Sequence, residues 1–179
     1  MASDDKDIFS LIARDANAGF RQLLSKYQEP VYWHVRRFVV SHDDAQDATQ
    51  ETFVRVFRSL NQYRGECSLR SWIYRIATNE ALRAISNRRQ DTVSLESDST
   101  GVELMAADQE VDYDNVMAVK FQRAILKLPP KQQLAFNLRY YDEMSFEEIA
   151  QVAGTTPSSV KASYHVAKEK IVAYLKTND

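Results

Sequence analysis

Apolar residues recur at three- and four-residue steps along most of the chain. Between residues 5 and 39, Phe20, Leu23, Leu24, Tyr27, Val31 and Val35 mark one buried face. The spacing predicts one or two helices, with Pro30 as a kink or as the break between two pieces. Polar Ser41-His42-Asp43 follows, and Ser41 or Asp43 suits the cap of the next helix. That helix is predicted over about Asp44 to Leu60, with Phe53, Val56, Phe57 and Leu60 as its core stripe. Asn61 to Ser68 reads as a loop broken at Gly65. Ser68 can cap a helix over about Leu69 to Asn87, whose buried side is Leu69, Trp72, Ile73, Ile76 and Ala77. Ser71, Arg75, Thr78 and Asn79 fall on a different side.

Periodicity is lost over residues 91–113, where serines alternate with Asp and Glu. This composition predicts a flexible linker kept extended by like charges. It divides the chain into a first domain, 1–90, and a second, 114–179. In the second, Val116, Val119, Ile125 and Leu128 mark one helix, ended by Leu128-Pro129-Pro130. Pro130 suits the first turn of a helix over about Lys131 to Tyr141, packed through Leu134, Phe136, Leu138 and Tyr141. Ser145-Phe146-Glu147-Glu148 has the capping-box pattern, a serine with Glu three residues on. Gly154 permits a turn with positive φ. Thr156 and Pro157 open a last helix, with Val160, Tyr164, Ala167, Ile171 and Leu175 along one face.

Composition narrows the class. Four glycines, four prolines and no alternating strand pattern indicate an all-α fold: two small helical domains joined by an acidic linker. No apolar run of about 18 residues occurs, so no membrane insertion is expected. The acidic N-terminus lacks a signal-peptide pattern, which implies a cytoplasmic protein. A single cysteine, Cys67, rules out an internal disulfide and a cysteine-cluster zinc site. His34, His42 and His165 are scattered without metal-ligand spacing. There is no phosphate-binding glycine loop and no nucleophile elbow. The expectation is therefore a chain without metal, cofactor or enzymatic activity.

The net charge of −2 conceals a segregation. Residues 1–90 hold 14 Lys/Arg against 11 Asp/Glu, residues 91–116 none against 8, and residues 117–179 hold 9 against 6. Two mildly basic ends flank an acidic middle, which predicts weak DNA binding by the free chain. Asp44, Asp47 and Glu51, edged by Gln50, share one helix face. They form either a solvated face favoured near a helix N-terminus or a partner-binding patch. Tyr63 and Arg64 in the loop, with Trp72, Tyr74, Arg75 and Asn79 beyond it, combine aromatic, cationic and amide groups. Such a set can stack bases and track phosphates, although Trp72 also fits a core position. Residues 145–167 fit a helix-turn-helix: small Ala150 at the crossing, a turn glycine four residues on, and Val160 six beyond that. Ser158, Ser159, Lys161, Ala162 and His165 line the opposite face. Lys161 can reach a guanine edge or a phosphate, and His165 can contact DNA or simply be solvated.

At this point the residues resemble a family. DAQDATQETFVRVFRSLNQYRGECSLRSWIYRIATNEAL is similar to the promoter-melting domain of extracytoplasmic-function (ECF) sigma factors. LPPKQQLAFNLRYYDEMSFEEIAQVAGTTPSSVKASYHVAKEKI is similar to their C-terminal promoter domain. The resemblance implies an alternative sigma factor that binds core RNA polymerase, recognises −10 and −35 promoter elements and initiates transcription. It implies that Asp44, Asp47, Gln50 and Glu51 dock on the clamp helices of the polymerase β′ subunit, with the β flap as a further contact. Tyr63 and Arg64, with the following Gly-Glu-Cys-Ser, match the loop that captures a flipped −10 base. Arg75 and Asn79 match the helix lying along that element. Ser158, Ser159, Lys161, Ala162 and His165 match the −35 readers, and Arg139 a backbone-contacting arginine. An anti-sigma factor as regulator and a monomeric free state are also implied. The chain departs from the family at Ala162-Ser163-Tyr164-His165-Val166, where two usual arginines are missing. A stand-alone helix-turn-helix regulator is the alternative reading. It predicts tight duplex binding without polymerase, commonly as a dimer. A third is an adaptor whose two domains both bind proteins.

Overall fold

A computed structural model describes residues 3–39, 41–91 and 115–177. Its elements are α1 (Ser3–Arg14), α2 (Ala16–Arg36), α3 (His42–Ser59), a 3-10 turn (Leu60–Gln62), α4 (Leu69–Asp91), α5 (Val116–Leu126), α6 (Pro130–Tyr140), α7 (Phe146–Ala153) and α8 (Pro157–Thr177). No strand occurs among the described residues, so the expected all-α class holds. The predicted linker, 91–113, lies outside the described residues except for Asp91, the last residue of α4.

The first break in the N-terminal pattern falls at Asp15, and Pro30 lies inside α2. Asp15 adopts an extended backbone, and its carboxylate accepts from Asn17 N and Ala18 N at 3.0 and 3.1 Å. This cap restarts the helix at a new angle. Gly19 lets α1 and α2 approach closely, since a Cβ there would stand 2.5 Å from Ile12 Cγ1 and 2.7 Å from Ile12 Cα. Pro30 is tolerated because it faces solvent, where water can satisfy the carbonyl it leaves free. Of the two candidate caps for α3, Ser41 is the one used, accepting from Asp44 N.

α1 to α4 enclose Leu23, Tyr27, Val31, Val35, Phe53, Val56, Leu69, Ile73 and Ala77. Two expected faces differ from the sequence reading. Phe57 is 46% exposed rather than core, because its turn of α3 lies at the rim of the α2–α3 groove beside Phe20. Ser71 and Thr78 are buried although they lie off the apolar stripe of α4. Their hydroxyls are satisfied locally: Ser71 Oγ accepts from Ser68 Oγ at 2.9 Å, and Thr78 Oγ1 donates to Tyr74 O at 2.7 Å. α4 is therefore covered on two sides.

The second group, α5 to α8, closes around Ala124, Ile125, Leu128, Phe136, Ala167 and Ile171. Val116, expected in this core, is exposed at the start of α5. Leu134, Leu138, Met144, Ile149, Val152 and Val160 join the apolar cluster of the first group. α7 lies against α4, so the two groups form one continuous packed body in this structure.

Candidate nucleic-acid interface

The helix-turn-helix is built by short-range chemistry. Ser145 Oγ accepts from Glu148 N at 3.1 Å, while Glu148 Oε2 accepts from Ser145 N at 2.9 Å. The reciprocal pair satisfies two helix-end donors and starts α7. Gly154, at φ 67° and ψ 39°, ends it, and the N–H groups of Gly154 and Thr155 both return to Ala150 O. Thr156 Oγ1 then accepts from Ser159 N at 3.2 Å, and Pro157 takes the first position of α8. Ala150 and Val160 are buried where the two helices cross. Ser158, Ser159, Lys161, Ala162 and His165 are all exposed on one leading edge. Ser163 and Val166 stand where the run lacks the arginines, with Tyr164 between them. Tyr164 is half-buried against Phe136 and Phe146, so it serves packing. Arg139 braces the preceding turn: its Nη1 donates to Met144 O at 2.9 Å and its guanidinium lies 5.1 Å from the Phe146 ring centre.

The acidic residues of α3 divide into two sets. Asp44, Asp47 and Glu51 face α4, whereas Gln50 lines the groove toward α2 with Phe53, Val54 and Phe57. Asp44 pairs with Arg88 at 3.2 Å, and Glu51 with Arg55 at 3.2 Å. Arg55 Nε also lies 2.6 Å from the buried carboxylate of Glu80, which Arg83 meets at 3.0 Å. Asp47 is exposed and has no ion partner among the described residues. The network around Glu80 has little trace in the sequence. Its only sequence signal is the arginine-rich run from Arg55 to Arg89.

The loop carries a correction. Tyr63 is 7% exposed, not a solvent-facing aromatic. Its ring meets Phe9 edge-on at 5.3 Å and Trp72 at 4.9 Å, and its hydroxyl donates to Cys67 O at 2.7 Å. Burial pushes this phenol up to about 12, with Cys67 and Asp5 acting in the same direction. Tyr63 thus fixes the loop from inside, while Arg64, Gly65 and Glu66 remain outside. Gly65 supplies the turn at φ 77°. Trp72 is half-buried against Tyr63, between the two readings made for it.

Arg75 and Asn79 lie on the side of α4 that meets the second group. Arg75 Nε donates to Gln151 O at 2.9 Å, and its Nη2 shares that carbonyl. Asn79 lines a cavity of about 320 Å³ that also includes Ser159 and Ser163 of α8. Beside them His34 is fully buried, its Nε2 2.9 Å from Thr78 Oγ1. Burial, assisted by Arg37, lowers its pKa to about 3, so the ring is neutral. Among the described residues no cluster of His, Cys, Asp or Glu could hold a metal, and no helix is long and apolar enough to cross a membrane.

A two-part helical protein with an exposed helix-turn-helix edge and an arginine-lined acidic helix is a narrow class, and comparison with known proteins makes it specific. The Sigma-70 region 2 model matches residues 23–90 and the Sigma-70 region 4 model matches residues 118–171. The chain is 28% identical to the RNA polymerase sigma-H factor of Pseudomonas aeruginosa, over 93% of this chain and 91% of that protein. It is 28% identical to the ECF RNA polymerase sigma-E factor of Escherichia coli, over 93% and 92%. It is 27% identical to the ECF sigma factor SigW of Bacillus subtilis, over 88% and 89%. Its fold is similar to that of CnrH, solved with the cytosolic domain of CnrY, with a TM-score of 0.75, 20% identity and coverage of 99% and 100%. It is also similar to RpoE of Bartonella quintana, solved with the anti-sigma factor NepR, with a TM-score of 0.68, 21% identity and coverage of 89% and 98%. The chain belongs to the sigma-70 family, in its ECF group, and is an alternative sigma factor.

Proposed function

We propose that this sigma factor divides its work over three surfaces. A polymerase-docking face is centred on Asp47, with Asp44, Gln50 and Glu51 around it, and binds the β′ clamp helices; the second domain meets the β flap. The −10 element is handled by the 63–66 loop with Arg64 outermost, and by Trp72, Arg75 and Asn79, while Tyr63 positions that loop. The −35 element is read by Ser158, Ser159, Lys161, Ala162 and His165, with Arg139 holding the turn behind them. The domains run 1–90 and 114–179, with 91–113 as linker. The protein acts in the cytoplasm, is regulated by an anti-sigma partner and has no catalysis of its own. Base capture at the −10 element replaces lost stacking with protein contacts.

The observation that carries this reading is the exposed edge of α8, five small or polar side chains with none used in the core. A major groove accepts such an edge. With one cation on that edge, Lys161, its contribution to the salt dependence of binding is small.

Run-off transcription with bacterial core polymerase and genomic promoter fragments tests the assignment, and protein-dependent transcripts are the expected result. Duplex binding by the protein alone, with no association to polymerase, would favour a stand-alone regulator. Asp47→Arg should weaken polymerase association about tenfold, chiefly through slower binding. Unchanged affinity would remove Asp47 from the docking face.

A further inference from the structure

α1 carries none of the surface residues assigned above, and it precedes the stretch 23–90 matched by Sigma-70 region 2, so that match gives it no role. It is nonetheless fixed firmly on α2. The buried carboxylate of Asp5 accepts from Tyr27 OH at 2.8 Å and from Lys26 Nζ at 2.5 Å. Lys26 also pairs with Asp4 at 3.0 Å. Ile8 is buried one turn on, and the close approach of Ile12 to Gly19 holds the far end. Between these anchors Phe9 is half-buried and meets the ring of Tyr63 edge-on at 5.3 Å. Tyr63 also packs on Trp72, and its hydroxyl donates to Cys67 O at 2.7 Å. That bond closes a loop whose middle residues, Arg64, Gly65 and Glu66, are exposed. Among the described residues, no backbone–backbone hydrogen bond involves residues 64–67. The loop therefore takes its shape from the Tyr63 side chain, and Tyr63 takes its place from Phe9 and Trp72.

We propose that α1 is a positioning element for −10 base capture, with Phe9 as the residue that seats Tyr63 and so holds the 64–66 loop ready to receive a base. The inference rests on the −10 assignment above. Its physical basis is the cost of order. A loop that is ordered only when the base arrives spends part of the binding free energy on its own ordering. A loop already held by Tyr63 does not. The edge-on geometry gives the contact direction as well as area, because the positive ring edge of one aromatic meets the negative face of another. Leucine at position 9 keeps apolar volume but loses that direction. The Asp5 anchor acts one step farther back: it fixes the rotation of α1, and with it the place of the Phe9 ring.

The test compares the full chain with Phe9→Leu in two measurements. Cys67 is the single cysteine and is half-buried, so its rate of reaction with dithiobis-nitrobenzoate reports loop opening in the free protein. Phe9→Leu should raise that rate about fivefold, the equivalent of one aromatic pair. The second measurement assembles each protein with core polymerase and binds the −10 single strand of a promoter found by run-off transcription, with each base in turn replaced by an abasic site. The parent should lose about tenfold in affinity at the captured position. Phe9→Leu should bind the intact strand about fivefold more weakly and lose only about twofold more at that position, because the contact it fails to support is the one the abasic site removes. A merely structural role predicts equal weakening on every strand. Phe9→Tyr keeps the ring and should stay within about twofold of the parent throughout. Asp5→Asn loosens the anchor instead, shifts both readouts in the same direction and serves if Phe9→Leu does not fold. A folded variant whose abasic loss equals the parent's overturns the role of Phe9 alone. If no abasic position weakens the parent, the −10 assignment itself fails and the inference falls with it.

Discussion

His34 shows how a single residue ties the fold to solution conditions. In the folded chain burial holds its pKa near 3, against 6.5 for an ordinary imidazole. The unfolded chain thus binds a proton below about pH 6.5 that the folded chain refuses, and stability falls as pH falls through that window. Between pH 7 and pH 5 this one group should remove about 2 kcal/mol. Urea unfolding at the two pH values checks the figure, and His34→Gln should lose most of the difference. The same scale exposes a limit of pattern reading. Tyr63 and Phe57 exchange their expected roles: the loop tyrosine is core and the helix phenylalanine lies on the surface. Periodicity places a residue on a face of its own helix. It does not say whether a neighbour covers that face. Tyr63 is buried because Phe9, from the distant α1, reaches it.

At the scale of elements the chain is far more legible. The capping box at Ser145, the left-handed Gly154 and the Thr156-Pro157 start are local chemistry, and each occurs where the sequence places it. Helix ends needed correction where two signals competed, as at Pro30 and Asp15. There a side-chain cap outweighed a proline that solvent could accommodate. Since local bonds hold the helix-turn-helix, its variants should have graded costs. Ser145→Ala should lower stability by about 1 kcal/mol. Gly154→Ala should cost about 1–2 kcal/mol, because φ of 67° strains a residue with a Cβ even though open space surrounds it. Thermal unfolding of the intact protein reads both. Equal, negligible shifts would mean that tertiary packing, not capping, fixes this motif.

For the whole molecule, the sequence conveyed two helical groups but not their union. The acid that joins them, Asp142, follows two tyrosines in a short turn and has no periodic or motif signal. Its partners Arg37, Arg70 and Tyr74 lie 68 to 105 residues away in the chain. The pairing of Arg75 with a helix-end carbonyl is equally invisible, because any exposed carbonyl could serve. The surface assignments share this dependence. Gln50 parts from its acidic neighbours only once α2 and α4 take their places on either side of α3.

The carbonyl of Gln151 can be viewed as a tethered ligand for Arg75, present at an effective concentration set by the chain that connects the domains. Any anion that approaches this guanidinium must then compete with a ligand that dilution cannot remove. The tether weakens this competitor only slowly, since doubling its length costs the closed form about 0.6 kcal/mol. Duplicating residues 92–114 should accordingly lower the population of the closed contact no more than about threefold, read from spin-label distances between exposed Arg21→Cys and Lys170→Cys in a Cys67→Ser background. Insertions in this segment therefore leave the Arg75–Gln151 contact nearly intact, and substitutions at the contact surface are the changes that weaken it.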